Sequence, residues 1–330
     1  MKISALPDFG GIPVFVVGDT ILDVWTHGEA YRPSPEDIGA QCYRVDRSES
    51  VPGGAGSTAR VIRALGGVPT IFGVCGTGHG LHQLRQALDC YGLRAELAPD
   101  TSRPTTRKER FCEEGSQRQL LVVEHQSRRE IDSPIEIQLL AKLNSQSKPA
   151  VLVVTDQDRG VVTSTIARGL SKYSRDQAIP LIVDGRERPI GWYVQNFPYL
   201  FLITPNVREA EVMMERALPN LDAVQHAGRE MKELLGCNVL ITMSEDGAYL
   251  FDTEGDCYRQ PALNGRPLCV SGAGDTLVAT IALCIAAGMS LRDACEVGQY
   301  ATALNVAKEG TSSITWDELS AALLGEGLPH

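Results

Sequence analysis

The 330-residue sequence has no apolar run approaching the roughly 20 residues that a membrane-spanning helix needs. Its nine cysteines are odd in number and scattered, with no Cys-x-x-Cys pair, which argues against a zinc ribbon or a disulfide framework. Several lie in apolar runs, such as TIFGVC around Cys75 and VATIALCIAA around Cys284, where a free thiol behaves as a small buried hydrophobe and implies a reducing cytoplasm. Positive charge is scarce: 31 Lys and Arg against 41 Asp and Glu leave a formal net charge of −10, so neither nucleic acid nor an anionic membrane is expected as main partner. There is no G-x-x-x-x-G-K-[ST] loop, and no complete G-x-G-x-x-G follows the first apolar run, because Gly76, Gly78 and Gly80 are wrongly spaced. P-loop and dinucleotide-binding folds are thereby set aside.

What remains is 43% apolar residues, enough for a deep core, with neither repeats nor low-complexity tracts. Short Val, Ile and Leu-rich runs at 12–18, 68–75, 149–155, 180–184, 199–203 and 238–243 read as buried strands, the first of them in place of a secretory leader. Helical spacing lies between them at 57–66, 81–92, 163–174, 206–217 and 223–236, and again after Asp275. Near-continuous apolar strands alternating with helices predict an α/β fold, a mostly parallel sheet covered on both faces. Two polar stretches, 27–51 and 103–125, break the rhythm, and the second reads as a hairpin turning at Glu114-Gly115-Ser116-Gln117. They are expected to pair into a small accessory sheet that covers a substrate or meets another subunit. No linker divides the chain, so residues 1–330 are expected to be one domain.

The chemistry concentrates at Gly272-Ala273-Gly274-Asp275, directly before the small, apolar run LVATIALCIAAG. Glycines opening a helix present backbone N–H groups at its positive end, beside a carboxylate. The amides suit charge developing on a transferred phosphoryl group, and Asp275 suits the proton of an attacking hydroxyl. Taken alone, the same residues also read as a glycine turn with a helix cap.

Several pieces in order resemble the ribokinase-like (PfkB) carbohydrate kinases over nearly the whole chain. VVGDTILDVW (16–25) is similar to the family's first strand with its substrate-side aspartate, here Asp23. Gly53-Gly54 resembles the turn that lets backbone approach the sugar, Asn206-Val207-Arg208-Glu209 the N-x-x-E motif that orders Mg²⁺ through water, and Thr242 to Gly247, with Ser244, the loop lining the nucleotide phosphates. The resemblance implies a three-layer α/β sandwich with a small β lid, ATP and Mg²⁺ as cofactors, Asp275 as base, and Gly272, Ala273 and Gly274 as the cradle. Within the family the likeness runs to the heptose 7-phosphate kinases, through Arg32-Pro33-Ser34-Pro35-Glu36, through Pro104 to Arg110, and through Asp184-Gly185-Arg186, which that likeness places on the nucleotide side. It implies a homodimer through the lids. Lys108 and Arg110, at i and i+2 on a strand, share a face and could clamp a phosphate already on the substrate, or merely solvate a lid edge.

Departures from the family pattern bear on the substrate. Ser57 stands where an asparagine usually meets sugar hydroxyls, Thr77-Gly78-His79-Gly80 replaces an acidic stretch, and Gln299 stands for an adenine-side asparagine. Cys269 replaces the aspartate near a monovalent-cation site, which argues against potassium dependence. Asn206 and Glu209 also read as a simple capping box. The alternatives to a heptose kinase are a kinase for another sugar or nucleoside, and a ribokinase-like protein that binds without turnover.

Overall fold

The computed structural model describes residues 6–37, 39–115, 118–255, 257–263, 271–308 and 313–325. Its strands in chain order are β1 (Pro13–Gly18), β2 (Thr20–Pro33), β3 (Gln41–Gly54), β4 (Val68–Cys75), β5 (Arg94–Pro99), β6 (Arg107–Glu113), β7 (Gln119–His125), β8 (Val151–Thr155), β9 (Leu181–Asp184), β10 (Leu202–Ile203), β11 (Asn238–Thr242), β12 (Ala248–Phe251) and β13 (Cys257–Gln260). Its helices are α1 (Ala55–Ala64), α2 (His79–Cys90), α3 (Ser133–Asn144), α4 (Ser164–Gln177), α5 (Ile190–Asn196), α6 (Val207–Met213), α7 (Leu221–Leu235), α8 (Ala273–Ala286), α9 (Leu291–Val306) and α10 (Trp316–Leu323).

Period-two alternation builds two cores from one sheet. Val14 and Val16 of β1, with Val151 and Val153 of β8, enter one apolar cluster; Phe15, Val17, Leu152 and Val154 enter the other. The first cluster is closed by Ile62 of α1, Leu84 of α2, Leu283 of α8, Val297 of α9 and Leu319 of α10. The second is closed by Leu139, Leu170, Tyr193, Met213 and Met231 of α3 to α7. Helices therefore cover both faces of a sheet ordered β13-β12-β11-β10-β9-β8-β1-β4-β5, parallel except where β12 meets β11 and β13. This is the predicted three-layer sandwich. The edge strands β5 (RAELAP) and β13 (CYRQ) have no apolar signature of their own, and β12 (AYLF), though buried throughout, is only four residues long, so all three escape a periodicity reading.

The two polar stretches do pair, in a second sheet ordered β3-β2-β6-β7. That lid is longer than 27–51 and 103–125 imply. VVGDTILDVW is not one strand: the chain leaves the large sheet at Gly18 and enters the lid at Thr20. The β6–β7 hairpin pairs Arg107 with His125 and Phe111 with Leu121, while Ser116 and Gln117 of its expected turn lie outside the described residues.

Asp19 makes the break between the two sheets. Its carboxylate accepts the backbone N–H groups of Gln157 (2.7 Å), Arg159 (3.1 Å) and Val161 (3.4 Å), and its carbonyl accepts that of Ala55 at 2.9 Å. Burial, reinforced by neighbouring Asp156, pushes its carboxyl up to about 7 against the opposite pull of the three N–H donors. Asp19→Ala strands those donors, at about 1–3 kcal/mol for each one left unsatisfied. The expected outcome is a lower urea midpoint with faster amide exchange at Gln157, Arg159 and Val161; unchanged exchange would show that the loop is held by something else.

Candidate active site

Strand order reverses at β1, with β4 and β5 following on one side and β8 to β11 on the other. Loops leaving the carboxyl ends of parallel strands at such a switch point diverge and leave a crevice. A cavity of about 350 Å³ lies there, lined from the body by Gln157 and Arg159 after β8, Asp184 to Arg186 at the end of β9 and beyond it, Asn206 after β10 and Thr242 of β11, and from the lid by Asp23, Lys108 and Arg110.

One wall is the start of α8. Gly272 is the N-cap with φ 78°, a conformation that favours glycine, and Ala273 and Gly274 continue the turn along the cavity. The first N–H groups of a helix have no intrahelical acceptor. The space above Gly274 is open, since a Cβ there would meet no atom within 4 Å. Asp275 is partly buried at this corner, and desolvation raises its carboxyl above the ordinary 3.8 while hydrogen bonds from Ser57 and Thr58 oppose the rise. Ser57, expected to face sugar hydroxyls, thus lines the cavity and also touches Asp275.

The facing wall is the start of α6. Asn206 and Glu209 do form the capping box, each side chain accepting the other's backbone N–H at 2.9 Å. The remaining Glu209 oxygen accepts from Arg186 at 3.3 Å, and Arg186 also donates to the Gln157 side chain. Desolvation raises the carboxyl of Glu209, and that of Asp184 well above 3.8, in the latter case with Asp275 and Glu209 adding repulsion. Among the described residues no cluster of three or more His, Cys, Asp or Glu could cage a metal. A divalent ion that keeps most of its water and takes its remaining oxygens from phosphate and one or two carboxylates nevertheless fits here. Asn206 Oδ1 retains a lone pair, and the crowded carboxylates have excess negative charge for a cation to offset.

The roof is the lid. Parallel register sets Asp23 beside Lys108 and Trp25 beside Arg110, so both cations share the cavity face. Arg110 donates to Asp23 at 3.2 Å with its guanidinium over the Trp25 ring, 4.8 Å from the centroid. Trp25 itself packs inside the lid with Val51 and Cys112. Lys108 Nζ lies 3.2 Å from Glu124 Oε1, and Arg159 approaches the same oxygen at 3.8 Å. Gly53 permits Asp23 its place, because a Cβ there would lie 2.6 Å from Oδ2, and Gly54, at φ 58°, packs on the Asp19 carbonyl and lines the cavity.

Not every expected residue reaches this cavity. Ser244 lies in a neighbouring depression with Asn206 and Thr242; Gly247 closes a turn against the Gln260 carbonyl; Gln299 lines a separate hollow with Tyr258 and Arg292. Cys269 lies outside the described residues. Conversely, Arg60, Gln157 and Arg159 line the cavity without having been singled out from the sequence. The only sequence signals were an arginine on an otherwise apolar helix face and the Asp-x-Asp-Arg-Gly stretch after β8.

The family model for pfkB family carbohydrate kinases matches residues 14–318. The chain is 32% identical over 326 residues to the "Bifunctional protein HldE" of Desulfatibacillum aliphaticivorans, covering 98% of this chain but 65% of that protein, and 33% identical over 320 residues to its namesake in Bradyrhizobium sp., covering 96% and 64%. It therefore spans less than two thirds of the length of these relatives. Among solved structures, Escherichia coli phosphofructokinase-2 in complex with substrates and products superposes with a TM-score of 0.75 at 20% identity, covering 96% of this chain and 99% of that one. Arabidopsis thaliana ribokinase complexed with ribose and ATP gives 0.71 at 18% identity, covering 95% and 99%. These two likenesses speak for the fold.

Gly53→Ala is expected to displace Asp23 from Arg110 and to destabilise the lid by about 1–3 kcal/mol. Urea unfolding checks this, and wild-type stability in the variant would refute the close approach.

Proposed function

Because the chain belongs to the pfkB family of carbohydrate kinases, phosphotransferases that act on a sugar hydroxyl, we propose that it moves the γ-phosphoryl group of ATP to a sugar phosphate, most specifically to the anomeric hydroxyl of a heptose 7-phosphate. One observation carries the reading: the Gly272–Asp275 helix start, the Asn206 and Glu209 pair and the cationic lid strand line one cavity. The anionic acceptor is supported by Arg60, Lys108, Arg110 and Arg159 on that lining, in a protein of net charge −10. The heptose rests on the lid segments that resemble heptose kinases. On this reading the chain is a single kinase domain, corresponding to part of its longer relatives.

Asp23, Ser57 and the Gly53-Gly54 backbone hold acceptor hydroxyls, while Lys108 and Arg110 hold its phosphate. Asp275 takes the proton of the attacking hydroxyl as the new O–P bond forms and the bond between the β and γ phosphates breaks, releasing ADP. The amides of Gly272, Ala273 and Gly274 offset charge on the phosphoryl oxygens. Mg²⁺, arriving with the nucleotide, would neutralise phosphate charge, ordered through water by Asn206 and Glu209. Asp184, Arg186, Thr242, Ser244, Gly247 and Gln299 are assigned to the nucleotide side. Exposed Tyr31, Val45, Leu121 and Val122 on the lid strands support a lid-to-lid homodimer.

ATP turnover over a panel of phosphorylated heptoses and hexoses, nucleosides and unphosphorylated sugars tests the reading. Asp275→Asn is expected to lower kcat/KM by about 10²- to 10⁴-fold. Since only the ionised base works and burial raises its carboxyl, the acidic limb of kcat/KM is expected above 3.8. Lys108→Ala and Arg110→Ala should raise KM far more for a phosphorylated acceptor than for an unphosphorylated one; equal effects would remove the phosphate clamp. Equal inertness of wild type and Asp275→Asn over the whole panel would defeat the kinase assignment. In sedimentation velocity, Leu121→Asp should turn the dimer into monomer.

A further inference from the structure

Two hydroxyls from the first turn of α1 converge on Asp275. Thr58 Oγ1 donates to Oδ1 at 3.2 Å, joining residues 217 positions apart, and Thr58 is fully buried between α1 and α8. Ser57, one residue earlier on the cavity lining, donates to the same carboxylate, and its Oγ lies 3.8 Å from where a Gly272 Cβ would be. Neither hydroxyl is placed there by accident of a surface rotamer. The turn that carries them starts at Ala55, directly after the returning lid strand ends at Gly54, and the Ala55 N–H is bonded to the Asp19 carbonyl.

We propose that Thr58 and Ser57 are positioning residues for phosphoryl transfer: their hydroxyls hold one side of the Asp275 carboxylate and turn its remaining oxygen lone pairs toward the acceptor hydroxyl. An ionised carboxylate offers about four acceptor positions, so two donors leave room for the substrate proton. A partly desolvated carboxylate without such donors would rotate and would protonate more readily. The other charged groups facing it are Asp23 of the lid, Asp184 and Arg186 after β9, and Arg60 one turn further along α1. Asp23 and Asp184 disfavour its charge and the two arginines favour it, and the hydroxyls oppose the rise that desolvation causes. The inference rests on Asp275 being the base.

The test reads the carboxylate without any substrate. In protein labelled with ¹³C at aspartate side chains, the Asp275 carboxyl signal is assigned by its loss in Asp275→Asn and titrated with pH. Each donor favours the ionised form, so Thr58→Val should move the midpoint upward by roughly one unit, Ser57→Ala should move it the same way, and Thr58→Ser should restore it. The acidic limb of kcat/KM should move with it, and for Thr58→Val, which lies off the cavity lining, with little change in KM. A variant that only melts earlier, its midpoint unmoved, overturns the proposal; Ser57→Ala, at the cavity surface, decides the matter if Thr58→Val does not fold. Turnover with an unmoved midpoint defeats this inference alone. A moved midpoint in a protein that turns over no acceptor defeats the kinase assignment and leaves the hydroxyl contact standing.

Discussion

The buried carboxylate of Asp19 ties together the parts that must meet for this cavity to exist. It stands where the chain steps from the large sheet into the lid, gathers the loop after β8 onto its oxygens, and through its carbonyl seats the start of α1. Removed from water, each of these hydrogen bonds is stronger than it would be at the surface and more costly to leave unmade. Arg159 reaches the cavity because its backbone hangs on Asp19, and Thr58 reaches Asp275 because α1 begins where Asp19 holds it. The lid, the loop after β8 and the α1 residues that meet Asp275 are thus referenced to one point.

Charge around the cavity is divided by wall. Carboxylates crowd the body side, where Asp275 and Glu209 add to the cost of ionising buried Asp184 and Arg186 is the nearby counterweight. Cations dominate the lid side, where Lys108 and Arg110 lean on Glu124 and Asp23. In an acidic protein, cationic side chains from the lid and the start of α8 from the body thus line one cavity. The bridging of Lys108 and Arg159 by a single Glu124 oxygen keeps the two side chains close without neutralising both.

Several pieces were legible as local chemistry. The helix start at Gly272–Asp275, the capping box at Asn206 and Glu209, and the shared strand face of Lys108 and Arg110 each follow from a spacing of four residues or fewer, over which backbone geometry alone dictates neighbours. Other features were not. VVGDTILDVW reads as one strand because nothing local says that Asp19 will bind amides some 140 positions away. Arg60 and Arg159 look like surface charges until the lid folds over them, and nothing local says that Ser57 also touches Asp275, more than 200 residues away.

Amino-acid order by itself determined the layered α/β architecture, since alternating apolar strands can bury both faces only under helices, and it determined which short motifs could carry phosphoryl chemistry. Tertiary structure alone decided that those motifs face one another, where the lid begins, and which side chains meet the Asp275 carboxylate. The reason is physical: periodicity and capping act over a turn or two of chain, whereas a cavity's charge balance and a buried carboxylate's partners depend on segments that become neighbours only when the sheet reverses its strand order.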